Sequence, residues 1–302
     1  MIRDKDCEVI IVGGSYAGLS AAMSLGRSLR SVLVVDSGKP CNASTPHSHN
    51  FLTQDGQTPS ELSRLARNQL AIYKTVDFHN DLVVKGTRTS GGFEITLQSG
   101  SRVSSKKLIF ATGIKDQLLD IPGFSECWGI SVVHCPYCHG YEYQGKRTAI
   151  LANEEGAMHY ALLVSNLTRD LTILTNGQPK FSEEQLAKLW HHNINVIESE
   201  VIEIKHAGGH IRNVVFKDGE AMQFDALYFR PPFTQHTEIP KLLGCEMNEQ
   251  GYLTIDPTQK TTIEGVFACG DNSSMMRSVA NAVATGNFTG AVVNKELASE
   301  RF

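Results

Sequence analysis

Long apolar runs are missing from this chain. No stretch approaches the ~20 residues that a membrane span needs, so no membrane partner is expected. A basic excess is missing too. Lys and Arg number 28 against 32 Asp and Glu, for a net charge of -4. That balance offers nothing to nucleic acid or to an anionic lipid surface. The opening residues, MIRDKDCEVI, put charges where a secretion leader needs an apolar core, and a cytoplasmic protein is expected. A disulfide scaffold is also absent. Seven cysteines is an odd number, and Cys7, Cys41, Cys127, Cys245 and Cys269 are scattered. What remains is an ordinary globular composition, 41% hydrophobic and 20% charged, in 302 residues. That length is enough for two domains with sizeable cores.

Two cysteines do stand together. Residues 134–143 read HCPYCHGYEY, with Cys135 and Cys138 as a Cys-x-x-Cys pair flanked by His134 and His139. Thiols three positions apart can close as a disulfide and reopen as a dithiol, and a nearby imidazolium would lower their pKa. A zinc site would need a second ligand pair, and the chain has none. His134 and His139 each adjoin a cysteine, and such neighbours rarely converge on one tetrahedral ion. No metal is expected, and the pair is read as a redox centre.

The N-terminal third carries a dinucleotide fingerprint. EVIIV (8–12) reads as a buried strand. The turn Gly13-Gly14-Ser15-Tyr16-Ala17-Gly18 follows, then a small-residue helix, then SVLVVD ending in Asp36. Glycines let the backbone approach a pyrophosphate, the helix N-terminus supplies N–H donors, and the terminal acid accepts from ribose hydroxyls. Ser15 occupies the position of the middle glycine. The loop 41–58 is polar and turn-rich and holds His47 and His49. Thr58, Pro59 and Glu61 then read as a capping box, opening a helix whose core stripe is Leu62, Leu65, Ala66, Leu70 and Tyr73. Residues 75–112 alternate as a β-meander that closes on Thr112-Gly113.

A second βαβ unit begins after the cysteines, with RTAILA (147–152) as strand, 154–167 as helix and LTILT (171–175) as the next strand. Its first turn, Ala152-Asn153-Glu154-Glu155-Gly156, lacks the glycines of a pyrophosphate loop and carries two carboxylates. A like charge at ~5 Å, with an effective dielectric near 20, costs about 3 kcal/mol. Either NADPH binds poorly here, or both glutamates point to solvent and a different lysine or arginine compensates. Ser182 with Gln185 reads as a further capping box, and FRPPF (229–233) as the return toward the first domain. Near the end, GVFACG closes on Asp271, and 275–295 reads as a small-residue helix whose N-terminus offers a positive dipole.

In this order the motifs resemble the low-molecular-weight thioredoxin reductases, FAD-dependent pyridine nucleotide-disulfide oxidoreductases, across nearly the whole chain. The resemblance implies an α/β fold of two Rossmann-like, three-layer ββα domains. The FAD domain would be discontinuous (1–118 and 248–302), with a smaller NAD(P)-binding-like domain (119–247) inserted and carrying the cysteines. It implies FAD contacts at Gly13, Gly14, Ser15, Ala17, Gly18, Asp36, Thr112, Gly113, Gly270, Asp271, Ser278 and Val279, and a homodimer. It makes Cys135 and Cys138 the redox pair, with Cys138 the partner of the flavin. Two departures stand out. His139 replaces the family's usual aspartate after the second cysteine, and the basic NADP motif is missing. Both are similar to a branch of dithiol oxidases of the gliotoxin and holomycin kind, whose loop also looks like PHSHNFLTQDG. That likeness implies Asn42, His47 or His49 near the flavin, and His139, with His134, as proton carriers. The expected partner is a thioredoxin-like protein or a small dithiol or disulfide, with molecular oxygen or ferredoxin as the other redox partner.

Overall fold

A computed structural model of the chain describes residues 5–302. The first four residues, on which part of the leader reading rests, lie outside the described residues. The chain divides into two compact units. The first comprises Met1–Ala43, Phe51–Lys115 and Phe233–Phe302, and the second Ser44–Asn50 and Asp116–Pro232. The expected division lay at 118/119 and 247/248. The second crossing comes earlier, inside the FRPPF segment, because Pro231 and Pro232 have no N–H with which to continue a strand ladder.

The first unit is built on strands β1 (Lys5–Val12), β2 (Val32–Asp36), β3 (Val76–Asn80), β4 (Val83–Thr89), β5 (Gly92–Leu97) and β6 (Arg102–Phe110), joined near the end of the chain by β17 (Val266–Ala268). The order is β3-β2-β1-β6-β5-β4, with β17 on β6. β1, β2, β3, β6 and β17 are mutually parallel, whereas β4 and β5 run antiparallel as the meander. The short strands β7 (Ile114–Asp116) and β16 (Phe233–Gln235) lie at the crossings. Because alternate side chains leave a strand on opposite faces, both faces of β1 are apolar and covered. Val9 and Ile11 pack with α1 (Tyr16–Arg27) and α8 (Val279–Ser299), while Ile10 packs with Phe93, Ile95 and Leu253.

Small residues bring α1 and α8 close. A Cβ at Gly286 or Gly290 would overlap the carbonyls of Ala17 or Ala21. The hydroxyls of Ser20 and Ser24 donate to the Val283 and Asn287 carbonyls at 2.7 and 3.0 Å. α8 begins later than its small-residue pattern, because Ser278 caps it by accepting from Asn281 N–H at 3.1 Å. α2 (Pro59–Leu70) is capped by Thr58, but Glu61 turns to Arg64 (3.0 Å) instead of reaching back, so the expected capping box is half made. α7 (Ile239–Leu242) completes the unit.

The second unit has a fully parallel sheet in the order β11-β10-β9-β15-β8. Its strands are β8 (Val132–Val133), β9 (Thr148–Leu151), β10 (Leu171–Leu174), β11 (Asn195–Ile197) and β15 (Ala226–Tyr228). A three-stranded antiparallel sheet of β12 (Val201–Ala207), β13 (His210–Phe216) and β14 (Ala221–Met222) accompanies it. Its helices are α3 (Phe124–Cys127), α4 (Pro136–His139), α5 (Glu154–Val164) and α6 (Glu183–His191). The capping box expected at Ser182 and Gln185 is fully formed. Both units are thus doubly wound α/β sheets, as the sequence predicts. Among the described residues no helix is long and apolar enough to cross a membrane.

Candidate active site

Strand register assembles one end of the first sheet. Val12 pairs with both Val35 and Phe110, and Phe110 pairs with Ala268. The segments that follow these strands therefore emerge side by side: Gly13-Gly14 after β1, Thr112-Gly113 after β6, and Gly270-Asp271 after β17. In open parallel sheets, ligands bind outside such carboxyl ends, where neighbouring strands are wound in opposite senses.

The residues fit a dinucleotide. Gly13 has φ +105, and a Cβ there would run into the Ala111 carbonyl. A Cβ at Gly18 would overlap the Gly13 carbonyl oxygen, and one at Gly14 would press on the Asp36 side chain. Only glycine fits this tight crossing. Ser15 is the N-cap of α1, yet its side chain makes no cap hydrogen bond, and the first turn holds no acid. The N-cap side chain thus takes none of the leading N–H groups of α1, which suits a pyrophosphate. Asn272 is fully buried. Its Nδ2 donates to the Phe110 carbonyl at 2.8 Å, while its Oδ1 has no partner. Gln235 Oε1 is orphaned in the same way, although its Nε2 donates to the carbonyls of Gly251 and Asn272 at 2.9 Å. Buried acceptors without donors fit a site that awaits a polar ligand.

Other expected residues have partners already. Arg67 donates to Asp36 at 2.6 Å, which engages one carboxylate oxygen. Asn42 donates to the Tyr16 hydroxyl at 3.2 Å. Asp271 has Arg277 at 3.9 Å. Ala17 lies against Gly286, and Val279 is the first residue of α8.

The second unit holds the cysteines. Two residues after β8, Cys135 and Cys138 form a disulfide with a Cα–Cα distance of 5.2 Å. Cys135 is the N-cap of α4 and Pro136 its first residue. The Cys138 N–H donates to Cys135 Sγ at 3.1 Å. Both cysteines are half-buried. Burial pushes the His139 imidazole down to about 4, against the upward pull of Glu142 and with a further push down from His49. At neutral pH His139 is therefore neutral, because desolvation outweighs the carboxylate. It can accept a proton, but it is not the standing imidazolium that the sequence suggested. His134 is placed differently. Its ring stacks on Trp128 with centroids 5.9 Å apart, and its carbonyl accepts from Tyr160 at 2.6 Å.

His49 belongs to this unit, whereas Asn42 belongs to the first. Its Nε2 is 3.4 Å from Glu142 Oε1, and the His47 ring lies 6.4 Å from its own. Sequence reasoning passed over Glu142, although the spacing His139-x-x-Glu142 was there to be read. It also passed over Asn272 and Gln235, for which no local pattern exists.

The start of α5 differs from that of α1. Asn153 Oδ1 accepts from the N–H groups of Glu154 and Lys180, both at 2.9 Å, and its Nδ2 donates to the Gln178 carbonyl at 2.9 Å. The loop 176–180 is thereby stapled to the helix N-terminus. Lys180 pairs with Glu154 at 2.8 Å, and Gln185 donates to Glu155 at 2.6 Å. The charge on Glu154 is met by Lys180, which offsets the repulsion expected from the sequence. The Asn153 side chain takes the Glu154 N–H, the first donor of α5.

Comparison with known proteins agrees with this geometry. A family model described as pyridine nucleotide-disulphide oxidoreductase matches residues 7–286. The protein named thioredoxin reductase tcpT of Claviceps purpurea is 33% identical, over 97% of this chain and 95% of its own length. The crystal structure of an oxidoreductase from Agrobacterium tumefaciens is 36% identical, covers 98% of this chain and 99% of that one, and superposes with a TM-score of 0.91. The crystal structure of HlmI is 29% identical, covers 100% and 95%, and has a TM-score of 0.93.

Proposed function

Because the chain belongs to the pyridine nucleotide-disulphide oxidoreductase family, as a thioredoxin reductase-like, FAD-dependent enzyme, we propose that it oxidises an external dithiol through Cys135–Cys138 without NADPH. The observation that carries this reading is the self-occupied N-terminus of α5, in the same unit as the disulfide. A donor dinucleotide has no evident seat there, so electrons enter from sulfur.

One thiolate of the external dithiol attacks Cys135 and displaces Cys138 as a thiolate, leaving a mixed disulfide. The second external thiolate attacks the bound external sulfur and displaces Cys135. The external partner leaves as a disulfide, two electrons poorer, and Cys135 and Cys138 are left as a reduced dithiol. Neutral His139 takes up a thiol proton. FAD held in the first unit would supply the two-electron acceptor for the enzyme dithiol. Its holders are Gly13, Gly14, Ser15, Ala17, Gly18, Asp36, Thr112, Gly113, Gly270, Asp271, Ser278 and Val279 in the first unit. His49 serves the dithiol, beside Glu142. The external partner is a small dithiol or a thioredoxin-like protein, oxygen is the final acceptor, and the enzyme works as a cytoplasmic homodimer.

Stopped-flow mixing of the anaerobic holoenzyme tests this. Excess dithiothreitol should bleach the flavin, air should restore it, and NADPH should do neither. Fast bleaching by NADPH would mark an NADPH-dependent reductase. Bleaching by neither would point to a protein donor such as ferredoxin. Cys138→Ser should keep FAD bound and lose bleaching by dithiothreitol.

A further inference from the structure

The redox turn carries a carboxylate that the exchange steps above do not use. Glu142 lies on the turn Tyr141–Tyr143, directly after α4, which ends at His139. The turn is fixed. The Gly140 N–H donates to the Pro136 carbonyl at 2.9 Å, and a Cβ at Gly140 would overlap that same carbonyl and Leu167. Tyr143 donates to the Ile130 carbonyl at 2.7 Å. The separate segment 44–50 brings His49 to 3.4 Å from Glu142. That loop is itself seated, because Gly129 has φ +79 and a Cβ there would strike the hydroxyl of Ser44 and crowd that of Thr45.

We propose that Glu142 is a positioning residue of the redox centre: its carboxylate holds His49 and stabilises the imidazolium formed when His139 accepts a thiol proton. The inference rests on the dithiol reading of Cys135–Cys138. A half-buried neutral imidazole is a poor base unless its charged form is compensated. Glu142 is the carboxylate whose charge acts on His139, and His49 is the other titratable group acting there. The proton leaves a thiol sulfur and arrives on the His139 ring, giving a thiolate and an imidazolium beside a carboxylate. His49, whose Nε2 lies 3.4 Å from Glu142 Oε1, is the group to which that proton is passed next.

The test compares Glu142→Gln, Glu142→Asp and His49→Gln in the full-length protein. Two readouts are used: the pH dependence of iodoacetamide alkylation of the dithiothreitol-reduced Cys135–Cys138 pair, followed by mass, and the anaerobic rate of flavin bleaching by dithiothreitol. Glu142→Gln should move the alkylation profile up by about one pH unit and slow bleaching about tenfold at pH 7. The half-saturating dithiothreitol concentration should stay unchanged. Glu142→Asp should restore most of both. His49→Gln should slow bleaching less than Glu142→Gln does. An unmoved alkylation profile in Glu142→Gln would overturn the proposal. So would equal damage in Glu142→Asp and Glu142→Gln. If Glu142→Gln fails to fold, the aspartate and His49 variants decide, and unchanged bleaching in His49→Gln overturns the relay. Cys138→Ser separates the layers: bleaching that survives it sinks the dithiol reading itself, whatever Glu142 does.

Discussion

α1 and α5 begin alike and present different N-termini. Each follows the first strand of a parallel βαβ unit and points its N-terminus to the carboxyl end of its sheet. At α1 the N-cap Ser15 makes no side-chain bond, and Gly13, Gly14 and Gly18 stand where any Cβ would collide. At α5 the N-cap Asn153 bonds its own helix and the loop 176–180, and Gly156 has nothing within 4 Å of where a Cβ would go. The fold is therefore not what binds a dinucleotide. Binding depends on whether the helix leaves its leading N–H groups for a ligand, and on whether glycine is needed to bring the backbone near it.

The comparison can be broken most severely at Gly18. Gly18→Val would drive a side chain into the Gly13 carbonyl and the Ile11 side chain. Thermal unfolding should show a loss of about 3 kcal/mol or more, and the purified protein should be colourless. Acid should strike the second unit instead. His139 is held neutral down to about 4 against an ordinary 6.5, so the unfolded chain binds the extra proton in that window. Stability should thus be full above pH 7 and fall by up to about 3 kcal/mol as pH drops from 6.5 to 4. His139→Gln should flatten that slope in denaturant titrations.

Ser15→Asp would give α1 a charged, self-capping residue like the start of α5. FAD should bind about thirtyfold more weakly by fluorescence titration, a difference of about 2 kcal/mol, with the helix itself no less stable. The reverse change, Asn153→Gly with Glu154→Ala, frees the α5 donors. NADPH affinity should rise about tenfold, equivalent to 1.4 kcal/mol. No rise would mean that the missing basic side chains matter more than the plug. The smallest effect is at Gly156. Because a Cβ meets open space there, Gly156→Ala should stabilise the protein by about 0.5–1 kcal/mol.

Features written in neighbouring residues were legible from the sequence. The glycine turn at 13–18, the capping box at Ser182 and Gln185, the buried strand ending at Ala268 and the Cys-x-x-Cys all depend on spacing within a few positions. What escaped depends on chain segments that meet only after folding. Asn153 stands in a turn read only for its missing glycines and its carboxylates, and nothing local says that it will cap α5 and staple Lys180. His49 reads as part of a polar loop, and nothing local says that the loop will be seated beside Gly129 with His49 against Glu142. Glu61 satisfies a capping-box pattern but finds Arg64 closer to hand. Asn272 and Gln235 give no signal at all, because an orphaned acceptor exists only in a finished interior.

The excursion of residues 44–50 has a consequence for modularity. The redox unit is made from two separate lengths of chain, one of them only seven residues long. A cassette cut at 115/116 and 232/233 would carry Cys135, Cys138, His139 and Glu142 to a new host and leave His49 behind. The dithiol would travel, but the imidazole facing Glu142 would not. Any transplant or recombination of this unit must therefore inherit the short loop as well, or arrive with its proton path open at one end.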